Sequence, residues 1–264
     1  MKIFPKKSLG QNFLIDEIIL NKIAELGEIK KFYKVIEVGP GTGNLTEKII
    51  QYNPKELILV EKDKRLIKIL KNKFNQDVKI INEDILNCPT VNSENENIVI
   101  FGNLPYNIST QILVNWIRIS DLKNFCRKFI LLFQKEVADR IIAKTKTKQF
   151  GRLSVLSNWR LEIKKHFDIS RNCFFPKPKI NSTLLSFTPK KNNLLNLKNP
   201  KNLEKVTRIL FSNRRKMINK NFKKLFKDKL NKVKNLNIDL NKRPEELNNE
   251  IFYKITIEYE RLFG

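Results

Sequence analysis

Lys34-Val-Ile-Glu-Val38 runs directly into Gly39-Pro-Gly41-Thr-Gly43, and a helical pattern opens near Asn44. A short β-branched strand, a glycine turn and a helix form the first unit of a sheet that binds a ligand at the carboxyl end of its strand. Glycine is needed there because the chain must turn sharply and let a ligand approach backbone that a side chain would screen. The turn lacks the Gly-Lys-Ser/Thr of a phosphate-binding loop. It also departs from the G-x-G-x-x-G spacing of dinucleotide sites, because Gly43 follows Gly41 by two.

Outward from this unit the pattern repeats. Further runs of strand character lie at Leu57–Val60, Val78–Ile81, Ile98–Phe101, Phe129–Phe133, Leu153–Leu156 and Thr183–Phe187, and Lys64–Phe74 and Ser109–Ile119 carry apolar residues at spacings of three and four. Strands alternating with helices at this pitch predict a doubly wound α/β sheet. Past Pro189 no β-branched run remains, and Asn- and Lys-rich connectors separate apolar residues at helical spacing. Residues 1–189 therefore read as one α/β domain and 190–264 as a small all-helical one.

The 264 residues include 52 Lys+Arg against 27 Asp+Glu, a formal charge of +25, which points to an anionic partner. Only 12 of the cations are Arg, and the chain is also rich in Asn and Ile, so a base-composition bias accounts for part of the excess. Position is more informative than the total. Arg214 to Lys234 holds ten basic residues and one acid, Asp228, while Ile218, Phe222, Leu225, Phe226, Leu230 and Val233 recur at helical intervals. This predicts one amphipathic helix with a basic outer face, suited to an RNA backbone, an anionic membrane surface or plain solvent.

With 41% hydrophobic and 30% charged residues the chain has the composition of a folded protein. The apolar run Phe129–Phe133 is about a quarter of a membrane span. The first seven residues lack a secretory or transit pattern, so a cytoplasmic protein is expected. Cys88, Cys126 and Cys173 suit neither a disulfide framework nor zinc, and no metal site is expected. The single histidine, His166, follows Lys164-Lys165 in a turn-like setting and offers no catalytic triad.

Two acids refine the ligand. Glu61 ends the second strand in Leu-Val-Glu-Lys-Asp63, where a carboxylate accepts from ribose hydroxyls, and Asp84 ends the third in Asn-Glu-Asp-Ile85, placed for an adenine amino group. With Glu37 just before the loop, this set fits S-adenosylmethionine better than NAD.

The most specific stretch follows the fourth strand: Gly102-Asn103-Leu104-Pro105-Tyr106-Asn-Ile-Ser109. It resembles the (N/D)-(P/L/I)-P-(Y/F) motif of methyltransferases acting on exocyclic amines. An adenine N6 lone pair is delocalised into the ring, so the amine is a weak nucleophile until it is drawn toward tetrahedral geometry. The Asn103 side-chain oxygen and the Leu104 carbonyl are two acceptors for its hydrogens. Pro105 fixes their backbone, and Tyr106 supplies a face for a flipped base.

Nearly the whole chain resembles the rRNA adenine N6,N6-dimethyltransferases. The likeness rests on Ser8-Leu-Gly-Gln-Asn-Phe-Leu14, Glu37-Val-Gly-Pro-Gly41, Gly102–Ser109, Gln134-Lys-Glu-Val137, Gly151-Arg-Leu-Ser-Val155, Phe175-Pro-Lys-Pro-Lys179 with Asn181-Ser182, and Asn213-Arg-Arg-Lys216, in the family's order. The resemblance implies a Rossmann-like class I methyltransferase sheet with an N-terminal lid over residues 1–20. It places cofactor contacts on Asn12, Leu14, Gly39, Glu61, Asp84 and Asn103, beside Gly41 of the glycine turn. It also implies a second stacking aromatic at Phe174 or its neighbour Phe175, with Phe174 favoured. The implied substrate is two adjacent adenosines in a hairpin loop near the 3′ end of small-subunit (16S) rRNA in the immature 30S particle, each dimethylated, with a role in small-subunit biogenesis. Arg214, Arg215, Lys216, Lys220, Lys223 and Lys224 are the expected RNA contacts of a monomeric enzyme. The rivals are a large-subunit rRNA adenine methyltransferase of the macrolide-resistance type and a non-catalytic assembly factor.

Overall fold

A computed structural model describes residues 4–6, 9–74, 77–88, 97–191 and 197–264. Ser8 of the first motif and residues 1–3 and 7 of the expected lid lie outside the described residues.

The elements run β1 (Phe13–Leu14), α1 (Glu17–Glu25), β2 (Lys34–Val38), α2 (Asn44–Ile50), β3 (Glu56–Val60), α3 (Lys64–Phe74), β4 (Lys79–Ile81), β5 (Ile98–Gly102), α4 (Ser109–Ile117), α5 (Leu122–Phe125), β6 (Lys128–Gln134), α6 (Lys135–Ile141), α7 (Arg152–Arg160), β7 (Leu161–Ile169), β8 (Phe174–Phe175), β9 (Ser182–Pro189), α8 (Pro200–Leu210), α9 (Asn219–Phe226) and α10 (Asn249–Phe263). Seven strands form one sheet in the order β4-β3-β2-β5-β6-β9-β7, and β1 pairs with β8 separately.

Strands β2 to β6 pair in parallel, and β9 runs antiparallel to β6. The doubly wound α/β sheet expected from the sequence is present. Its central strands read as unbroken apolar runs because both faces are covered: β5 is buried at all five positions, and Phe129 to Phe133 of β6 likewise. The first strand, β2, has β3 on one side and β5 on the other. That reversal opens a crevice at the carboxyl ends of β2 and β5, where ligands of such sheets bind.

The chain divides into two compact units, 1–138 with 163–189, and 139–162 with 190–264. One boundary of these units falls at 189/190, and 139–162 groups with the helical unit and not with the sheet unit. The expected strand at Leu153–Leu156 is instead the middle of α7. Four residues of apolar character do not distinguish a strand from a buried helix. Gly151 and Ser154 decide it: Ser154 Oγ accepts from the Gly151 amide at 3.2 Å and donates to the Arg140 carbonyl at 2.7 Å, fixing the first turn of a helix. The outermost strand is β7, whose Lys164, Lys165 and Asp168 suit a sheet edge that must not pair with another chain. His166 thus lies in a strand and not a turn, with Nε2 2.8 Å from Ser186 Oγ.

In the second unit α8 starts on the Asn199 cap with Pro200 following. Buried Glu260 of α10 accepts from the Lys198 and Asn199 amides and the Asn202 side chain, placing a carboxylate at that positive helix end. The continuous basic helix expected over 214–234 is broken. Residues 214–218 form a turn, α9 spans only Asn219–Phe226, and Lys227 leaves the helix at φ 49° before a 3-10 stretch to Leu236. Among the described residues, no helix is long and apolar enough to cross a membrane.

Candidate cofactor and base-binding site

A cavity of about 330 Å³ sits at the carboxyl ends of β2, β3 and β5, and Asn12, Leu14, Gly39, Gly41, Glu61, Asp84, Asn103, Leu104, Pro105 and Tyr106 all line it. Ten residues drawn from five separate stretches of sequence are thereby brought to one place.

The floor is the glycine turn. Gly41 has φ +61°, and a Cβ there would stand 2.7 Å from the Phe13 ring; Gly43 has φ +80°, and its Cβ would meet Phe74 at 2.5 Å. Both positions require glycine for conformation and space. Gly39 lines the cavity beside the Asn103 carbonyl. Glu61, one residue past β3, is held at both oxygens: Oε1 accepts from the Asp63 amide at 2.8 Å and Oε2 from the Gly41 amide at 3.4 Å. Burial pushes its carboxyl upward against those hydrogen bonds. Asp84 lies in the loop after β4, with Oδ2 paired to Lys62 at 2.8 Å and Oδ1 accepting from the Leu86 amide. Burial raises the Asp84 carboxyl, but Lys62 and Leu86 outweigh it and hold it below the ordinary value. Glu37, inside β2, is buried, accepts from Thr46 Oγ1 at 2.6 Å, and is pushed up to about 7 by desolvation.

The end of the cavity expected to hold the reacting amine is the turn after β5. Asn103 Nδ2 donates to the Asn12 carbonyl at 2.8 Å. A carbonyl only accepts, so the nitrogen must face Asn12, and Oδ1 is left to turn the other way. The Leu104 side chain is buried. The Pro105 carbonyl accepts from the Ile108 amide at 3.1 Å, closing the turn. Tyr106 is pinned by its hydroxyl, 2.6 Å from Ser182 Oγ on β9.

Residues 9–14 strap across this cavity. Leu14 O accepts from Asn44 Nδ2 at 2.8 Å, Phe13 covers Gly41, and Gly10 packs on the 105–107 turn. The set fits a nucleoside-bearing cofactor: glycine backbone that a Cβ would obstruct, a buried carboxylate anchored by backbone amides, and a second carboxylate at the rim. Among the described residues, no cluster of three or more His, Cys, Asp or Glu is placed to hold a metal ion.

Phe174 is not brought to the cavity. In the β1–β8 pairing it faces Leu14 and lies in the apolar core, 3% exposed, whereas Phe175, opposite Phe13, is 56% exposed. Strand alternation sends adjacent rings to opposite faces, so Phe174 is turned to the core and Phe175 to solvent.

A family model described as "Ribosomal RNA adenine dimethylase" matches residues 4–261. The chain belongs to the ribosomal RNA adenine dimethylase family. It is 48% identical over 264 residues to "Ribosomal RNA small subunit methyltransferase A" of Pelagibacter ubique (strain HTCC1062), covering 100% of both chains. It is 39% identical over 268 residues to the protein of the same name from Wolbachia sp. subsp. Drosophila simulans (strain wRi), covering 98% of this chain and 95% of that one. Among solved structures it is similar to a dimethyladenosine transferase from Plasmodium falciparum, with TM-score 0.80 and 26% identity over 94% of this chain and 98% of that one.

Two supporting groups of this rRNA dimethylase were not assigned from sequence. Ser182 stood in a quoted motif without a role. Gln11, in another motif, donates from Nε2 to Asp63 Oδ2 at 3.0 Å, a pairing across 52 residues that spacing does not reveal.

In the helical unit Arg215, Lys216, Lys220, Lys223 and Lys224 are exposed. Arg214 differs: its Nε donates to Glu245 at 2.9 Å and its Nη2 to the carbonyls of Thr147 and Lys148. That guanidinium is engaged by protein, so of the six expected RNA contacts it is the one the fold already uses.

Proposed function

We propose that this chain transfers methyl groups from S-adenosylmethionine to the N6 atoms of two adjacent adenosines in a hairpin loop near the 3′ end of small-subunit rRNA, dimethylating each. It does so as a cytoplasmic monomer on the immature 30S particle, and contributes to small-subunit biogenesis.

The observation that carries this reading is the orientation of Asn103. With its amide nitrogen committed to Asn12, Oδ1 accepts one N6 hydrogen and the Leu104 carbonyl the other, which draws the nitrogen lone pair out of the ring. Tyr106, held through Ser182, presents its face to the extruded base, and Phe175 is the exposed ring available as its counterpart. S-adenosylmethionine, when bound, supplies the electrophilic methyl. Glu61 accepts from ribose hydroxyls and Asp84 from the adenine amino group. Orientation accounts for most of the acceleration, and the charged amine loses its proton without a strong base. The uncharged Asn103 also tolerates an amine that already carries one methyl. Arg215, Lys216, Lys220, Lys223 and Lys224 hold phosphates of the structured RNA.

The test is methyl transfer from labelled S-adenosylmethionine to isolated small subunits and to protein-free large-subunit rRNA. Dimethyladenosine in small-subunit rRNA is expected; activity confined to large-subunit rRNA would overturn the substrate.

A further inference from the structure

Asp63 is buried at 4% exposure yet is not among the residues lining the cavity. Its carboxylate is unusually connected. Oδ1 accepts from the Arg65 amide and Nε, both at 3.0 Å, and Oδ2 accepts from Arg65 Nη2 at 2.6 Å and from Gln11 Nε2 at 3.0 Å. Gln11 returns Oε1 to the Lys6 amide at 2.8 Å, and Arg65 Nη1 donates to the Phe4 carbonyl at 3.2 Å. The Asp63 backbone amide donates to Glu61. One residue beyond Gln11, the Asn12 carbonyl orients Asn103.

We propose that the Gln11–Asp63 hydrogen bond is the latch of the 9–14 strap, and that Asp63 is a positioning residue which sets both cofactor retention and the orientation of the Asn103 amide. The inference rests on the cofactor reading of the cavity given above. The strap crosses from the Glu61 end of the cavity to the reacting turn, and a charge-assisted bond into a buried carboxylate anchors its first end. Each methyl transfer consumes one cofactor, so on this proposal the latch is released and remade with each cofactor exchanged.

Asp63 also precedes α3 and accepts from the Arg65 amide, the geometry of a helix cap. A cap alone is retained when asparagine replaces aspartate. The two roles therefore separate in Asp63→Asn. Its remaining oxygen stays with the Arg65 amide and Nε, and its new NH2 faces both the Gln11 NH2 and Arg65 Nη2, donor against donor, so Gln11→Glu, which leaves the Asp63–Arg65 pair in place, is the single variant that isolates the latch. Gln11→Glu sets two carboxylates against each other. The Gln11→Glu/Asp63→Asn pair restores one donor and one acceptor with the polarity reversed.

The experiment measures dissociation of S-adenosylhomocysteine from the full chain by displacement with excess unlabelled ligand, and single-turnover methylation at saturating S-adenosylmethionine. Each single variant is expected to release the ligand about tenfold faster and to methylate more slowly at saturation, and the double variant to return to within about threefold of wild type. Release unchanged in both single variants, or no recovery in the double, overturns the latch. Wild type that binds neither ligand overturns the cofactor reading, and the latch with it.

Discussion

The amide nitrogen of Asn103 donates to the backbone carbonyl of Asn12 at 2.8 Å, across 91 residues of chain. The residue expected to grip the reacting amine is thus aimed by the strap that lines the cavity. Asn103→Ala should lower methylation at saturating substrate by about 10²–10³-fold, by analogy with loss of a single preorganised hydrogen-bonding group. Binding to small subunits should stay intact. Asn103→Asp should not rescue, because a carboxylate has no donor for the Asn12 carbonyl. Equal loss of RNA binding and methylation in Asn103→Ala would contradict this role.

The two adjacent phenylalanines should behave differently. Phe174→Ala removes a core ring and should cost about 3–5 kcal/mol of stability, read by urea unfolding. Phe175→Ala should leave unfolding unchanged and lower kcat/KM for RNA by about tenfold, since base–ring stacking contributes about 1–3 kcal/mol. The reverse outcome would return the stacking role to Phe174.

Salt dependence separates the cations of the helical unit. Replacing Lys220, Lys223 or Lys224 by Ala should flatten the log–log salt slope of RNA affinity by about 0.7–0.9 for each lost phosphate contact. Arg214→Ala should instead lower the melting temperature by about 2–4 °C, through loss of its Glu245 and carbonyl partners, with the slope retained. A slope unchanged in all the lysine variants would mean that they only solvate α9.

Glu37 makes stability depend on pH. Burial raises its carboxyl from the ordinary 4.5 to about 7, so between those values the folded chain holds a proton that the unfolded chain has lost. The contribution is therefore largest at the acidic end and declines as pH rises through 4.5 to 7, by roughly 3 kcal/mol at most. Glu37→Gln should remove this part of the slope and be the more stable variant above pH 7. Parallel stability–pH curves for the two proteins would show that Glu37 ionises normally.

Much of the site was legible because local chemistry demands particular residue types. Gly41 and Gly43 have backbone angles and close neighbours that exclude side chains, and Asn103 to Tyr106 is a turn of distinctive composition that lines the same cavity. Glu61 and Asp84 stand just past strands that the apolar pattern marks plainly. Where the pattern was short or mixed it misled. Leu153–Leu156 is as apolar as a strand and folds as a helix, and Leu161–Ile169, dense in charge, forms an edge strand.

By itself, then, the sequence determined the doubly wound sheet, the glycine turn and the Asn103–Tyr106 turn after β5, since hydrophobic period and turn chemistry act over a few residues. Tertiary structure alone decided the rest. It turned Phe174 inward and Phe175 outward, spent Arg214 on Glu245, broke the basic helix at Lys227, and joined Gln11 to Asp63 and Asn12 to Asn103. These outcomes depend on which distant segments meet, and a hydrogen bond across 52 or 91 residues leaves no periodic trace in the chain that makes it.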